Sequence, residues 1–128
     1  MNNPRHTILV VDPDPSIRTL IVALMRREGY ATEAAASAEQ ALELRRSTQP
    51  KAVVLEPRMS GGPDLFDALQ RGDGDGDAKP GVIVLTTPDS SKNPYAGAPG
   101  VRAVLLKPFR LEELTEAVAA CCDGDGSG

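Results

Sequence analysis

The sequence predicts an α/β fold in which a parallel β-sheet carries helices on both faces. Three apolar runs, residues 8–11, 52–55 and 82–85, contain no alternating polar residues, which is the pattern of strands buried on both faces. Between these runs, apolar residues recur at intervals of three and four, the spacing of amphipathic helices. Because the two patterns alternate, helices form the connections between strands, and the strands are therefore parallel.

The first strand leads directly into a helix. After the apolar run at residues 8–11, Asp14 suits the N-cap of a helix and Pro15 its first turn. Gly29 suits the end of this helix. One apolar stripe along the helix comprises Ile17, Leu20, Ile21, Leu24 and Met25. This stripe predicts which face of the helix packs on the sheet.

The second strand–helix unit is weaker in pattern. A short strand is predicted at residues 30–35, although alanines give it little β-propensity. Ser37 and Gln40 then form a capping box for a second helix, which Pro50 ends. The apolar side of this helix comprises Ala41, Leu42 and Leu44.

The second half of the chain supplies three more strands. They are predicted at residues 52–55, 82–85 and 101–106. A third helix begins near Pro63. The apolar stripe of the last helix comprises Leu111, Leu114, Val118 and either Cys121 or Cys122. We expect the other cysteine to be exposed. Two prolines and two glycines between residues 90 and 100 predict that the fourth helix of the pattern is short or irregular.

The composition indicates one globular domain at residues 6–122. Hydrophobic residues make up 41% of the chain and charged residues 25%, a balance typical of folded proteins. Residues 123–128 are polar and rich in glycine, so we expect a flexible tail there. The Gly/Asp segment at residues 72–77 lacks the glycine and glutamate that complete a calcium loop, and we interpret it as a solvated connector.

Charge and cysteine usage argue against several classes of partner. The net charge of −4 disfavours direct binding to nucleic acid or to an anionic membrane surface. The two cysteines are adjacent and have neither zinc-type nor redox-motif spacing. The sequence begins without the apolar run of a signal peptide and contains no membrane-spanning stretch, so we expect a cytoplasmic protein.

Polar residues follow four of the predicted strands at the point where each strand ends. These residues are Asp12, Glu56, Thr86 and Lys107. Because parallel strands direct their carboxyl ends to one edge of the sheet, we expect the four side chains to lie close together. Asp12 has a second interpretation, in which it simply braces the first turn of the following helix. Thr86 is equally suited to an ordinary bond with backbone.

In this order, these landmarks resemble those of response-regulator receiver domains. The resemblance covers residues 6 to 121 and rests on residues 8–12, Ala41-Leu42, residues 53–56 with Met59, Leu85-Thr86 and Lys107-Pro108-Phe109. It implies a flavodoxin-like sheet of strand order 2-1-3-4-5. Receivers take a phosphoryl group from a histidine kinase onto an aspartate after the third strand. Mg²⁺, a hydroxyl and a lysine stabilise the charge on that group.

The resemblance implies roles for three residues that match the family pattern and for three that depart from it. Asp12 matches the first acidic residue, Thr86 the hydroxyl and Lys107 the cation. The departures are Glu56 at the phospho-accepting aspartate, Pro13 at the second acidic residue and Val104 at the aromatic switch position. Because that aromatic residue is missing, we do not expect the usual coupling from the hydroxyl to the output face.

Two of the departures affect the same chemical step. The additional methylene of Glu56 displaces its carboxylate by about 1.5 Å, one carbon–carbon bond. A misplacement of about 1 Å can cost on the order of 10²-fold in a reaction that depends on positioning. Pro13 offers no side-chain oxygen to a hard cation, so a magnesium site loses a ligand.

Charge balance at the predicted site points in the same direction. Asp12 and Glu56 face Lys107, and Arg58 lies close in sequence. Two carboxylates opposed by one or two cations need no metal, so we expect no bound cofactor. We predict a direct ion pair between Glu56 and Lys107, which imitates the contact of the phosphoryl group with this lysine in an active receiver.

Three functions follow from this pattern. The first is a phosphorylation-independent receiver that is not an enzyme. Its partner is a histidine kinase, a downstream signalling protein or a second copy of itself. The second is a working receiver that uses Glu56 as the acceptor, with Asp14 as a substitute ligand for Mg²⁺. The third is an unrelated flavodoxin-like nucleotide binder or enzyme, although the sequence contains neither a phosphate-binding glycine loop nor a nucleophile–histidine pair.

Overall fold

The structure is a computed structural model that describes residues 6–71, 79–87, 97–98 and 100–126. The elements in chain order are β1 Thr7–Val11, α1 Pro15–Arg27, β2 Ala31–Ala35, α2 Ala38–Thr48, β3 Ala52–Leu55, α3 Gly62–Arg71, β4 Gly81–Thr86, β5 Val101–Leu106 and α4 Leu111–Gly126. All five predicted strands are present, and each boundary lies within one residue of its prediction. The strand–helix alternation read from the sequence is therefore confirmed.

The five strands form one parallel sheet in the order β2-β1-β3-β4-β5. This is the predicted flavodoxin-like order. It places β1 and β3 at the centre, with β2 and β5 at the edges. Every residue of β3 is buried, as are residues 8–11 of β1. Burial on both faces explains why these strands are continuous apolar runs.

Alternate side chains of the strands enter two separate core layers. On one face, Ile8 and Val10 of β1 pack with Ile21 and Met25 of α1 and with Leu114 of α4. On the other face, the intervening strand residues pack against α2 and α3 in a layer that includes Leu9, Val11, Ala41, Leu65 and Leu69. The helices thus cover both faces, and the polar site is confined to the strand ends.

The first two helices begin at the predicted caps. The Asp14 carboxylate accepts a hydrogen bond from the backbone N–H of Ser16 at 2.8 Å. The Ser37 hydroxyl accepts one from the backbone N–H of Gln40 at 3.2 Å. The Gln40 side chain reaches one residue further back than a standard capping box and accepts from the N–H of Ala36 at 3.1 Å. Each contact satisfies a backbone donor near a helix start.

Three helix predictions need correction. Leu20 is 44% exposed and Leu111 40%, so neither belongs to the buried stripe of its helix. Cys121 and Cys122 are both buried, and the prediction of one exposed cysteine was wrong because a covered helix stripe can exceed the 100° between neighbouring residues. Helix α4 ends at Gly126, and the flexible tail at residues 123–128 stays a prediction.

Two predicted loops fall wholly or largely outside the described residues. The Gly/Asp connector at residues 72–77 is one of them. The second is the segment at residues 90–100, most of which is not described. The prediction that the fourth helix is short or irregular therefore stays a prediction. Gly97, with a φ of 88°, lies in a turn in that segment. In the described parts of the chain, no helix combines the length and apolarity that crossing a bilayer requires.

Candidate functional site

Three of the four strand-end side chains meet in one ion-paired cluster. The Lys107 Nζ atom lies 2.9 Å from Glu56 Oε1 and 3.0 Å from Asp12 Oδ2. The Asp12 and Glu56 side chains are only 1% and 4% exposed, whereas that of Lys107 is 20% exposed. The predicted Glu56–Lys107 ion pair is therefore present, and the same ammonium also forms an ion pair with Asp12.

Asp12 also organises the turn between β1 and α1. Its backbone N–H donates to the carbonyl of Ala35 at 3.3 Å, and its Oδ1 accepts from the N–H of Asp14 at 2.8 Å. Both interpretations of Asp12 thus hold, because one carboxylate oxygen braces the turn and the other binds Lys107. Arg18 was not predicted from the sequence, and its guanidinium donates to the Asp12 carbonyl at 2.7 Å. Its place one turn into α1 was the available signal.

Glu56 is held by a strand neighbour and by the loop that follows it. Its backbone N–H donates to the carbonyl of Val11 at 2.9 Å, which extends the pairing of β3 with β1 by one residue. Its Oε2 accepts from the backbone N–H of Arg58 at 2.9 Å and lies 3.4 Å from the Arg58 Nε. Each carboxylate oxygen of Glu56 therefore has a donor, and Arg58 belongs to the site.

Lys107 is positioned through its backbone as well as its side chain. Its N–H donates to the carbonyl of Thr86 at 2.7 Å, and the next peptide bond, to Pro108, is cis. Partial burial opposes the charge on the ammonium. The hydrogen bonds and negative charges of Glu56 and Asp12 outweigh this effect, and the pKa of Lys107 is raised above its ordinary value of 10.5. Lys107 is therefore a permanent cation at neutral pH.

The other predicted site residues lie in β4, in β5 and in the turn before α1. Thr86 ends β4 with 5% exposure and contributes its backbone carbonyl to Lys107, while the role of its hydroxyl stays a prediction. Val104 is paired with Val84 and packs, partly buried, against the core layer of α2 and α3. Pro13 is exposed in the turn before α1. That Val104 occupies the switch position of the family and Pro13 its second acidic position stays a prediction of the resemblance.

The donor set does not fit the divalent cation that the resemblance implies. All four carboxylate oxygens of Asp12 and Glu56 already accept hydrogen bonds, two of them from the Lys107 ammonium. The Asp14 carboxylate caps α1, and Pro13 has no side-chain oxygen. Mg²⁺ requires a near-octahedral set of available oxygens. Within the described ranges, no group of three or more His, Cys, Asp or Glu is placed to hold a metal ion.

Comparison with known protein families gives a match over most of the chain. The family model described as the response regulator receiver domain matches residues 8–119. The chain belongs to the response-regulator receiver family. Receivers of this family act in two-component signalling. The third hypothesis assumed a protein unrelated to receivers, and the family match contradicts that assumption.

Individual relatives give the same result. Response regulator MprA of Mycolicibacterium vanbaalenii is 37% identical over 117 residues, which cover 88% of this chain and 48% of MprA. DNA-binding response regulator MtrA of Mycolicibacterium smegmatis is 30% identical over 123 residues, which cover 94% of this chain and 52% of MtrA. The receiver thus spans about half the length of these two relatives.

A solved structure adds a kinase complex to the comparison. The receiver matches a chain in the crystal structure of histidine kinase ThkA in complex with response regulator protein TrrA, with a TM-score of 0.73 and 27% identity. The match covers 91% of this chain and 97% of that one. A protein of similar fold has therefore been crystallised in an assembly of kinase and regulator.

Proposed function

We propose that this receiver signals through protein–protein contacts without being phosphorylated, and that it is not an enzyme. The observation that carries the proposal is the 2.9 Å contact between Glu56 Oε1 and Lys107 Nζ. In receivers, this lysine contacts the phosphoryl group on the acceptor aspartate. Here, the longer Glu56 side chain supplies a permanent negative charge to the same lysine, so the contact exists without a phosphoryl group.

The surroundings of Glu56 oppose phosphoryl transfer to it. An acceptor oxygen must approach phosphorus in line while a cation neutralises the developing charge. Lys107 contacts one carboxylate oxygen of Glu56 and Arg58 the other, so neither oxygen is available without breaking an ion pair. Pro13 removes a ligand from the cation that would assist the reaction. The two obstacles act on one step, and their effects should multiply.

The proposed partner is a protein. The assembly of ThkA with TrrA supports a histidine kinase as one candidate, alongside a downstream signalling protein or a second copy of this chain. MtrA is described as DNA-binding, but this chain covers only 52% of it. The net charge of −4 disfavours direct contact of this domain with nucleic acid or with an anionic membrane. A cytoplasmic location completes the proposal.

The alternative of a working receiver with an unusual metal site is less well supported. It requires Asp14 to turn towards Glu56 as a substitute ligand. The Asp14 carboxylate instead accepts the N–H of Ser16 at 2.8 Å and caps α1. Releasing this cap would cost about 1 kcal/mol before any metal was bound.

A phosphorylation assay tests the proposal directly. The protein is incubated with acetyl phosphate and Mg²⁺, and its intact mass is recorded by mass spectrometry. We expect no phosphoryl group on the wild-type protein. The double variant Pro13→Asp/Glu56→Asp restores both acidic positions and serves as the positive control, which should gain one phosphoryl group.

A phosphorylated wild-type protein would contradict the proposal. In that case, the variant Glu56→Gln would identify the acceptor, because it should lose the modification only if Glu56 carries it. Failure of the double variant to react, together with an unmodified wild type, would place the obstacle elsewhere than at these two positions.

A further inference from the structure

Arg58 is bound to Glu56 in two ways. Its backbone N–H donates to Glu56 Oε2 at 2.9 Å, and its side-chain Nε lies 3.4 Å from the same oxygen. The Arg58 side chain is 50% exposed, whereas that of Glu56 is 4% exposed. The half-exposed Arg58 side chain therefore contacts a carboxylate that is itself buried.

Arg58 also completes the charge balance of the cluster. Asp12 and Glu56 contribute two negative charges, and Lys107 and Arg58 contribute two positive charges. Lys107 contacts Oε1 of Glu56, and Arg58 contacts the other carboxylate oxygen, Oε2. A divalent cation entering this space would meet two cations and no uncompensated carboxylate of the cluster.

An exposed arginine beside a carboxylate is commonly a surface ion pair of little energetic value. Two features separate Arg58 from that case. The oxygen that it contacts belongs to a buried side chain, and the guanidinium shares this oxygen with the backbone N–H of the same residue. We therefore expect Arg58 to affect the binding of other cations at this site, and not the stability of the fold.

We infer that Arg58 is a positioning residue that acts as a tethered counter-cation, holding Glu56 Oε2 and excluding divalent cations from the site. This inference rests on the proposed function, in which the site works without a metal. Two separate features would then keep the site free of metal, namely the ligand missing at Pro13 and the positive charge of Arg58. The two features can be separated by mutation.

The experiment measures Mg²⁺ affinity by calorimetric titration in a Pro13→Asp background, which supplies the missing carboxylate. Pro13→Asp alone is compared with the same protein carrying Arg58→Ala, Arg58→Lys or Arg27→Ala. Arg27 is an exposed arginine in the last turn of α1 and serves as the matched control. Circular dichroism and cooperative unfolding show that each variant is folded before titration.

We expect Arg58→Ala to tighten Mg²⁺ binding by roughly tenfold, since one neighbouring charge changes the ionisation of a carboxylate by about one to three decades. Arg58→Lys keeps the charge and should leave the affinity close to that of Pro13→Asp alone. Arg27→Ala should leave it unchanged, because surface charges more than a Debye length away are screened.

Several results would overturn the inference. They are an unchanged affinity in Arg58→Ala, an equal tightening by Arg58→Lys or Arg27→Ala, and a lack of Mg²⁺ binding in all Pro13→Asp variants. The wild-type protein, titrated in parallel, tests the proposed function separately. Mg²⁺ binding by the wild type would contradict a metal-free site, whereas the Arg58 comparison is made wholly within the Pro13→Asp background.

Discussion

The two ends of the sheet bury ionisable groups with opposite results. At the carboxyl ends of the strands, Lys107 stays charged because its contacts with Glu56 and Asp12 raise its pKa despite partial burial. At the amino end, the Cys121 thiol lies beside the first residue of β4, Gly81, and burial raises its pKa to about 11. Burial alone favours the neutral form of a group, and only specific partners of opposite charge reverse that preference.

This difference follows from which residues the topology places at the carboxyl ends and at the amino ends of the strands. Parallel strands bring Asp12, Glu56 and Lys107 together at their carboxyl ends, although these residues are far apart in sequence. At the opposite ends of the strands, Cys121 of α4 packs as a small core residue beside Gly81. Removing a charge partner at the first end should therefore cost more than removing the thiol at the second.

The largest expected effect belongs to the ion-paired end. Lys107→Met keeps an apolar side chain of similar length but leaves the Asp12 and Glu56 carboxylates together without the ammonium. Deleting one partner of a buried ion pair costs about 3–5 kcal/mol. Because the Lys107 side chain is 20% exposed, we expect a loss at the lower end, about 3 kcal/mol, in the free energy of unfolding measured by urea denaturation at neutral pH.

Lys79→Met is the matched control, because Lys79 is an exposed lysine just before β4 at the opposite end of the sheet. It should change the free energy of unfolding by less than about 0.5 kcal/mol. The penalty of Lys107→Met should shrink above pH 10.5, since stability from a raised pKa is present at lower pH and lost as the folded group deprotonates. Equal penalties for the two lysine variants would contradict the comparison of the two ends.

The second effect is an alkaline loss of stability caused by Cys121. Its thiol has an ordinary pKa of 9.0 and one of about 11 in the folded protein. The unfolded chain therefore loses this proton first, and rising pH favours unfolding in that window. Between pH 9 and about 10.5, the ionisation of this thiol should lower the free energy of unfolding by about 1–2 kcal/mol.

Cys121→Ala provides the comparison for this pH dependence. The variant is less stable at neutral pH because it loses buried volume, but its profile should be flatter than that of the wild type between pH 9 and about 10.5. Urea denaturation at several pH values measures both profiles. Parallel profiles would mean that the thiol ionises equally in the folded and unfolded states.

The strands and the site cluster could be predicted because both follow directly from topology. Val53 and Val54 of β3 are apolar neighbours because the strand is covered on both faces. The same parallel arrangement made Asp12, Glu56 and Lys107 converge, and the Glu56–Lys107 ion pair followed from the charges. In these cases, the sequence position of a residue determined its surroundings.

Other features depend on how far neighbouring elements cover a helix. The bond from Arg18 to the Asp12 carbonyl requires a particular rotation of α1 about its axis relative to the end of β1. Periodicity gives the direction of an apolar stripe but not its width, which is why Leu20 is exposed and both Cys121 and Cys122 are buried. These outcomes are set by packing in three dimensions, which the periodicity of the sequence does not specify.

A smaller effect distinguishes the carboxylates within the site end. Asp14→Ala removes the N-cap of α1 and should lower the free energy of unfolding by about 1 kcal/mol, while Asp14→Ser keeps a capping oxygen and should lose less. The losses should be the same with and without Mg²⁺ in chemical denaturation. A larger loss for Asp14→Ala when Mg²⁺ is present would instead favour the working receiver with Asp14 as a ligand.

The smallest stability effect is expected for Arg58→Ala. The Arg58 side chain is half exposed, and such pairs contribute about 0–1 kcal/mol because water compensates most of the lost attraction. The backbone N–H at position 58 remains bonded to Glu56 Oε2 in this variant, which limits the loss further. Thermal and urea denaturation should therefore show a change below about 0.5 kcal/mol. A loss above about 1.5 kcal/mol would mean that Glu56 depends on the guanidinium for its position, so that a change in cation affinity would report a rearranged site and not a removed competitor.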